Sequence, residues 1–174
     1  MDASKASESV PMKNRTVVER TSERELVITR TFNGPARLMF EAWTNPELLK
    51  RWWVPKSVGI SLLSCETDVR VGGTYRLVFG HGDSEPMAFH GRYLEVTPYS
   101  RLVWTNEEGS EGGADTTVTF EETAGKTRVV VHELHPSKQA LDDARASGVE
   151  AGTLEAFGQL DELLVALGDH IHAS

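Results

Sequence analysis

The segment at residues 149–167 constrains the fold most, because it predicts one long amphipathic helix near the C-terminus. Its large apolar residues recur every three or four positions and therefore form a single stripe. The stripe consists of Leu154, Phe157, Leu160, Leu164 and Leu167, and Gly168 is predicted to end the helix. One such helix cannot bury its stripe alone, so it must pack on a second layer of structure.

The preceding chain predicts that second layer as a sheet. Alternating or β-rich runs, typical of strands, lie at residues 25–32, 59–68, 74–79, 87–96, 101–105, 115–122 and 127–134. Two short helices are predicted after the first strand, at 36–43 and 46–52, and a third at 138–146, with Ser137 as its N-cap. Short turns join the last five strands into an antiparallel meander. The predicted class is α+β, a curved antiparallel sheet of about six or seven strands around the C-terminal helix.

Composition and charge limit the partners. The polar residues 1–22 predict a disordered tail, residues 23–168 a single domain, and residues 169–174 a frayed end. The net charge of −8 argues against nucleic-acid and anionic-membrane surfaces, which need basic patches. The lone Cys65 lies in an alternating apolar run and is predicted to be a buried, inert thiol. With no secretory signal or membrane-length apolar run, a cytoplasmic, bacterial-type protein is expected.

Several local strings carry a family resemblance. They are ITRTFNGP at 28–35, FEAWTNPEL at 40–48 followed by RWW at 51–53, DVRVGG at 68–73, GRYLEVTP at 91–98 followed by RLVWT at 101–105, and LDELL at 160–164. Together with the element order, they resemble the START-like SRPBCC superfamily, which has the helix-grip (birch-pollen-allergen) fold. The closer similarity is to homologues of the activator of the 90-kDa heat-shock chaperone's ATPase. The chain departs at residues 152–153, which read Gly-Thr where members often carry Gly-Trp.

The resemblance implies a ligand cavity between the sheet and the C-terminal helix. The predicted lining is apolar and largely aromatic: Trp43, Trp52, Trp53, Leu62, Tyr75, Leu77, Phe79, Phe89, Tyr93, Val118, Phe120, Phe157 and Leu160. Trp52 and Trp53 are expected near the mouth, whereas Phe40 and Trp104 are expected to be plain core. The alternative is that these side chains fill the core, because a void depends on packing that a pattern does not reveal.

Chemistry-bearing residues give weaker signals. The ionisable residues expected near the cavity are Arg76, His81, Glu85, His90, Arg92 and Glu133, and each is predicted to be exposed. His132 and His135 are three apart at a strand end, where they face opposite sides, so they are predicted to be surface or structural residues rather than metal ligands. Gly72-Gly73 lacks the Lys-Ser/Thr of a phosphate loop. No metal and no cofactor are therefore predicted.

Three functions stay open. The favoured one is a binding protein for a small hydrophobic molecule, such as a lipid, a polyketide or a flavonoid-like compound. The second is an enzyme of the cyclase, dehydratase or hydrolase type acting in the same cavity. The third, suggested by the resemblance, is a co-chaperone-like stress-response module. The expected assembly is a monomer or weak homodimer.

Overall fold

The computed structural model describes residues 16–80, 82–83, 85–107 and 113–173. Eight strands lie within these residues: β1 (Val17–Arg20), β2 (Glu25–Phe32), β3 (Ser61–Thr67), β4 (Thr74–Gly80), β5 (Met87–Thr97), β6 (Arg101–Trp104), β7 (Asp115–Thr123) and β8 (Lys126–Leu134). The α-helices are α1 (Ala36–Thr44), α2 (Pro46–Trp52), α3 (Lys138–Ala146) and α4 (Val149–Ala173), and a 3-10 turn spans Lys56–Val58. The α+β class and the long C-terminal helix are confirmed.

The strands form one antiparallel sheet in the order β1-β2-β8-β7-β6-β5-β4-β3. Strands β3 to β8 follow one another across the sheet, as the predicted meander requires. The first predicted strand, β2, pairs with β8 and so closes the order on the other side. The curved sheet presents one face to the helices, and period-two alternation decides which side chains reach that face.

Residues 17–20 were predicted to belong to a disordered tail, and this was wrong. They form β1, which pairs with β2 from Val17 opposite Thr29 to Arg20 opposite Leu26. The strand has only two apolar residues and lies at the sheet edge, so its pairing rests on backbone hydrogen bonds that leave no hydrophobic pattern. The first fifteen residues of the predicted tail lie outside the described residues.

Helices α1 and α2 meet at Asn45-Pro46. The Asn45 side chain caps α2 by accepting a hydrogen bond from the Glu47 amide at 2.9 Å. Pro46 has no N–H, so it cannot donate to the carbonyl of Ala42 one turn earlier. The indole Nε1 of Trp52 donates to that carbonyl instead, at 2.8 Å. A tryptophan at the end of α2 thereby completes the hydrogen bonding at the end of α1.

Helix α4 packs Phe157, Leu160 and Leu164 of its apolar stripe against the sheet and the two short helices, whereas Leu154, predicted to belong to that stripe, is 47% exposed. Phe157 meets Phe32 of β2 edge to face, with ring centroids 5.3 Å apart. Next to it, the buried Arg30 of β2 forms an ion pair with Asp161 of the helix. Burial raises the pKa of Asp161, and the Arg30 guanidinium opposes that rise. These contacts fix the position of the helix along the sheet.

Gly168 was predicted to end this helix, and that was wrong. The helix continues to Ala173, and Gly168 is absent from the glycines with positive φ. A glycine within a helix costs only about 1 kcal/mol relative to alanine, so without a left-handed cap the helix continues. No helix in the described part of the chain is long and apolar enough to cross a membrane.

Candidate functional site

Two adjoining cavities lie between the sheet and the helices. The first, called the sheet cavity here, has a volume of about 380 Å³. Strands β4 and β5 supply much of its wall, and α1, the end of α2, the following loop, β3 and β6 supply the rest. Its lining is Trp43, Leu49, Trp53, Val54, Pro55, Ile60, Thr67, Tyr75, Leu77, Phe79, Met87, Phe89, Tyr93, Trp104 and Asn106.

The second, called the helix cavity, lies under the first turns of α4 and has a volume of about 370 Å³. Its lining is Ile28, Trp43, Trp52, Trp53, Pro55, Trp104, Asn106, Thr116, Val131, Glu133, Gly152, Thr153, Ala156 and Phe157. Each cavity is of the size that small-molecule sites in proteins occupy, and each has a predominantly apolar wall with a few polar groups.

Five residues line both cavities and are called the shared wall: Trp43, Trp53, Pro55, Trp104 and Asn106. The indoles of Trp43 and Trp53 meet edge to face with centroids 5.8 Å apart, and those of Trp43 and Trp104 lie 6.2 Å apart. Because the same side chains contact both spaces, a molecule in one cavity touches residues that border the other.

The loop that carries Trp53 and Pro55 is tethered to α4 by two side chains. Gln159, which is buried, donates to the carbonyls of Trp52 and Val54 and accepts from the amide of Lys56 at 2.9 Å. Glu155 accepts from the Ser57 amide at 2.9 Å and from the Ser57 hydroxyl at 2.5 Å. These hydrogen bonds from Ser57 lower the pKa of Glu155. Helix α4 therefore holds part of the shared wall in place.

Two neighbouring tryptophans differ in their hydrogen bonding. Trp52 is 2% exposed, and its N–H is satisfied by the Ala42 carbonyl. Trp43 is 5% exposed, and its Nε1 is buried with no hydrogen-bond partner among the described residues. A buried donor without an acceptor costs about 1–3 kcal/mol. The shared wall therefore contains a tryptophan whose N–H group does not stabilise the fold.

The sheet cavity has an apolar, exposed border. On β5 the side chains at alternate positions face the helices, and Gly91 and Tyr93 are buried there. Met87 and Phe89 continue the same row toward the strand start but are 53% and 37% exposed. Phe89 packs edge to face on Phe79 with centroids 5.2 Å apart. Large apolar side chains thus line the space and also reach solvent.

The polar groups of the sheet cavity are largely paired with one another. The hydroxyl of Tyr75 lies 2.5 Å from the Thr105 carbonyl and 2.9 Å from Oδ1 of Asn106. The amide nitrogen of Asn106 donates to the Ala114 carbonyl and lies 3.5 Å from the Thr116 hydroxyl. Burial raises the pKa of the Tyr93 phenol, which is therefore neutral at physiological pH.

One carboxylate lines the helix cavity. Glu133 follows Val129 and Val131 at period two on β8, so it faces the same side as these buried residues. Its side chain is 22% exposed, and its Oε1 lies 3.1 Å from Nε2 of His135. Glu133 was predicted to be exposed, and this was wrong. The alternation from Val129 onward was the signal that could have placed it inside.

The structure brings together nine of the predicted lining residues. Tyr75, Leu77, Phe79, Phe89 and Tyr93 line the sheet cavity, Trp52 and Phe157 line the helix cavity, and Trp43 and Trp53 line both. The remaining four, Leu62, Val118, Phe120 and Leu160, line neither. Val118, Phe120 and Leu160 are at most 4% exposed and fill the core, whereas Leu62 lies on β3 beside a register shift.

Other predicted residues have mixed outcomes. Phe40 is core as predicted, but Trp104, also predicted as core, lines both cavities. Arg76, Glu85, His90 and Arg92 are exposed as predicted, and His81 lies outside the described residues. Cys65 is buried, and burial raises the pKa of its thiol to about 11, which makes it a poor nucleophile. Among the described residues, no cluster of three or more His, Cys, Asp or Glu could hold a metal ion.

Comparison with known proteins places the chain in a family. The family model described as "Activator of Hsp90 ATPase homolog 1-like protein" matches residues 33–165, which is most of the chain and includes every lining residue of both cavities except Ile28. The chain belongs to this family. The family is part of the START-like SRPBCC superfamily, so the resemblance carried by the sequence strings is confirmed. No curated protein matches the chain.

Several solved structures share the fold of this chain. A crystal structure of a protein from Nitrosomonas europaea is 27% identical and superposes with a TM-score of 0.77, covering 86% of this chain and 99% of that one. A crystal structure of a protein from Rhodobacter sphaeroides is 23% identical with a TM-score of 0.80, covering 88% and 99%. An AHSA1-like protein from Aeromonas hydrophila, solved by NMR, is 19% identical with a TM-score of 0.63, covering 82% and 94%. At these last two identities the likeness shows the fold alone.

Proposed function

We propose that this protein binds a small hydrophobic molecule, of lipid, polyketide or flavonoid type, in the cavities between its sheet and C-terminal helix. The observation that carries the proposal is the pair of adjoining cavities joined by the shared wall. A monomeric or weakly dimeric cytoplasmic protein is the setting expected from the sequence.

The aromatic walls support this proposal over a closed core. A core of this size normally packs at the density of an organic crystal and leaves few voids larger than a water molecule. Here two spaces of about 370–380 Å³ adjoin, and Met87 and Phe89 extend the apolar lining to the surface. Apolar ligands gain about 25 cal/mol per Å² of apolar surface removed from water, so such walls favour their binding.

The alternative, that the protein is an enzyme, has one candidate catalytic group in the structure. Glu133 lines the helix cavity and is held by His135, as a general base could be. A second titratable group facing it across the cavity is absent from the described lining. Binding without turnover is therefore favoured over catalysis.

The test is a ligand screen monitored by melting temperature and tryptophan fluorescence, with flavonoids, polyketides, fatty acids and sterols as probes. A ligand that binds the folded protein raises its melting temperature by mass action. Because four tryptophans line the cavities, the same ligand is expected to change their emission. Failure of every probe class to do either at millimolar concentration would overturn the proposal.

A matched pair of variants locates the bound ligand. Phe89→Asp places a charge at the exposed border of the sheet cavity, and Leu94→Asp places one on an exposed residue of the same strand outside both linings. We expect Phe89→Asp to weaken binding about tenfold and Leu94→Asp to leave it unchanged, measured by calorimetry. Equal effects of the two variants would contradict binding in the sheet cavity.

A further inference from the structure

The described lining of the helix cavity includes a carboxylate, Glu133, whereas that of the sheet cavity includes none. On β8, Glu133 lies between Leu26 of β2 and Thr116 of β7, its two neighbours across the strands. Both neighbours are buried, so the carboxylate sits within an otherwise covered stretch of the inner face. Asn106 and Thr153 line the same cavity. The Glu133 carboxylate is therefore the most polar group of a largely apolar wall, and it borders the helix cavity.

The hydrogen bonding at this place determines what a ligand could offer. An ionised carboxylate only accepts hydrogen bonds, with about four lone-pair directions. Among the described residues, the side-chain partner of Glu133 is His135, at 3.1 Å from Oε1. The remaining acceptor capacity of the carboxylate is available to a molecule in the cavity.

Asn106 cannot take the opposite role. Its amide nitrogen is directed at the Ala114 carbonyl and the Thr116 hydroxyl, and its oxygen accepts from Tyr75. Both kinds of polar atom on this side chain therefore have partners within the protein. A ligand carboxylate placed here would meet Glu133 without a compensating donor from Asn106, and like charges at close range repel.

His135 holds the carboxylate in position. It is buried, its amide donates to the Arg24 carbonyl at 2.8 Å, and its own carbonyl accepts from Nε of Arg24 at 2.9 Å. These two contacts with Arg24 fix the main chain at His135, from which its imidazole Nε2 lies 3.1 Å from Oε1 of Glu133. The acceptor is thus oriented before a ligand arrives, which lowers the entropic cost of binding.

We infer that the helix cavity selects ligands whose polar end is a hydrogen-bond donor, a neutral hydroxyl or an amine, which Glu133 accepts. This inference rests on the proposed function and narrows its ligand class. The ligand has an apolar or aromatic body and a donor end, and molecules that end in a carboxylate, such as ionised fatty acids, are disfavoured. Glu133 is the specificity-determining residue.

The test compares three probes with one ring system and different polar ends: 2-naphthol, 2-methoxynaphthalene and 2-naphthoate. Calorimetry gives the affinity of each for the wild-type chain. A hydrogen bond to a charged acceptor predicts that 2-naphthol binds at least about tenfold more tightly than 2-methoxynaphthalene, whose donor is blocked. The carboxylate probe is expected to bind most weakly. This comparison needs no variant and therefore does not depend on the folding of a mutant.

The variant Glu133→Gln supplies the second comparison, with Glu121→Gln on the exposed side of β7 as its control. In Glu133→Gln the amide oxygen still accepts but is uncharged, so we expect 2-naphthol to lose part of its advantage, 2-methoxynaphthalene to be unchanged and 2-naphthoate to bind more tightly. In Glu121→Gln, all three affinities are expected to match the wild type. The melting temperature of each variant checks that it is folded.

Three results would overturn the inference. Equal wild-type affinities for 2-naphthol and 2-methoxynaphthalene would show that the donor is not recognised, while leaving the proposed function intact. A uniform loss of affinity for both probes in Glu133→Gln would show that this residue shapes the cavity rather than accepting a hydrogen bond. Binding of none of the three probes would overturn the inference, and the broader screen then decides the proposed function separately.

Discussion

The two cavities are similar in volume but are built differently. The sheet cavity is enclosed mostly by strands, whose neighbours are fixed by the hydrogen-bond ladder from β3 to β6. The helix cavity is enclosed on one side by the first turns of α4, where Gly152 and Thr153 leave space. The strands therefore give the sheet cavity a stiff apolar wall. Helix α4 gives the helix cavity a wall whose shape and polarity depend on a few side chains. This difference predicts unequal responses to substitution.

The largest expected effect comes from replacing Gly91, a glycine of β5 that lies beside the sheet cavity. A Cβ at Gly91 would lie 1.9 Å from the Thr105 carbonyl oxygen and 2.8 Å from the Tyr75 ring, so Gly91→Ala forces the strands apart. We expect a loss of about 3 kcal/mol or more in the free energy of unfolding, measured by urea denaturation.

The matched change in the helix cavity is Gly152→Ala. There the Cβ would meet only the Pro55 ring, at an ordinary contact distance of 3.7 Å. Because alanine favours the helix over glycine, we expect a gain of up to about 1 kcal/mol. Similar losses of unfolding free energy in Gly91→Ala and Gly152→Ala would contradict the proposed difference between the walls of the two cavities.

The next effect concerns the tether of the shared wall. Gln159→Leu removes one acceptor and two donors, which leaves the Trp52 and Val54 carbonyls and the Lys56 amide without these partners. We expect a loss of about 2 kcal/mol in the free energy of unfolding and faster hydrogen exchange at Lys56. Gln139→Leu, on the exposed surface of α3, is the control and is expected to change neither. Unchanged exchange at Lys56 would show that other contacts hold the loop.

A pair of tryptophan variants tests the difference between satisfied and unsatisfied N–H groups. Trp52→Phe and Trp43→Phe remove similar volumes, but only Trp52 donates a hydrogen bond, to the Ala42 carbonyl. We expect Trp52→Phe to destabilise the fold by about 1–2 kcal/mol more than Trp43→Phe, as measured by chemical denaturation. Equal destabilisation would mean that this hydrogen bond adds nothing beyond packing.

The smallest expected effect depends on pH. Hydrogen bonds from Ser57 lower the pKa of Glu155 in the folded protein. Their contribution to stability is therefore fully present above the unfolded pKa and is lost as the pH falls through the lower folded pKa. We expect the Ser57 amide to lose protection, measured against its intrinsic exchange rate, as the pH falls below about 4.5 toward the lower folded pKa of Glu155, while Lys56 stays protected.

Two variants check the origin of that pH dependence. Glu155→Gln is expected to abolish the acid response at Ser57. Glu107→Gln removes another carboxyl whose pKa is lowered, by Arg92 and Thr105, far from this loop in sequence. It is expected to leave the response intact, and loss of the response in both variants would show that the acid effect is global.

The sequence predicted the strands and their inward-facing residues better than it predicted which of those residues border a cavity. Alternation identified the inward row of Tyr75, Leu77 and Phe79, because period two depends only on the strand. It could not tell that Val118 and Phe120 are covered by packed side chains, since filling depends on which helix lies above each strand. Trp104 illustrates the converse, because it is buried and yet borders both cavities.

Other differences have local physical reasons. The edge strand β1 has too few apolar residues for its pairing to show in the pattern. Glu133 was predicted to be exposed, although its position in the alternation of β8 placed it inside. A residue's type reflects its average environment, whereas the period of its strand fixes the side on which it lies.

The shared wall implies thermodynamic coupling between the cavities. If two small probes bind at once, one in each cavity, both contact the indoles of Trp43, Trp53 and Trp104. Reorientation of these rings by the first probe changes the affinity for the second, and linkage requires the same factor in the reverse order of addition. One elongated ligand that spans both cavities would show the same coupling within a single molecule. A chemical change at one end of that ligand would then alter how much the other end contributes to its affinity.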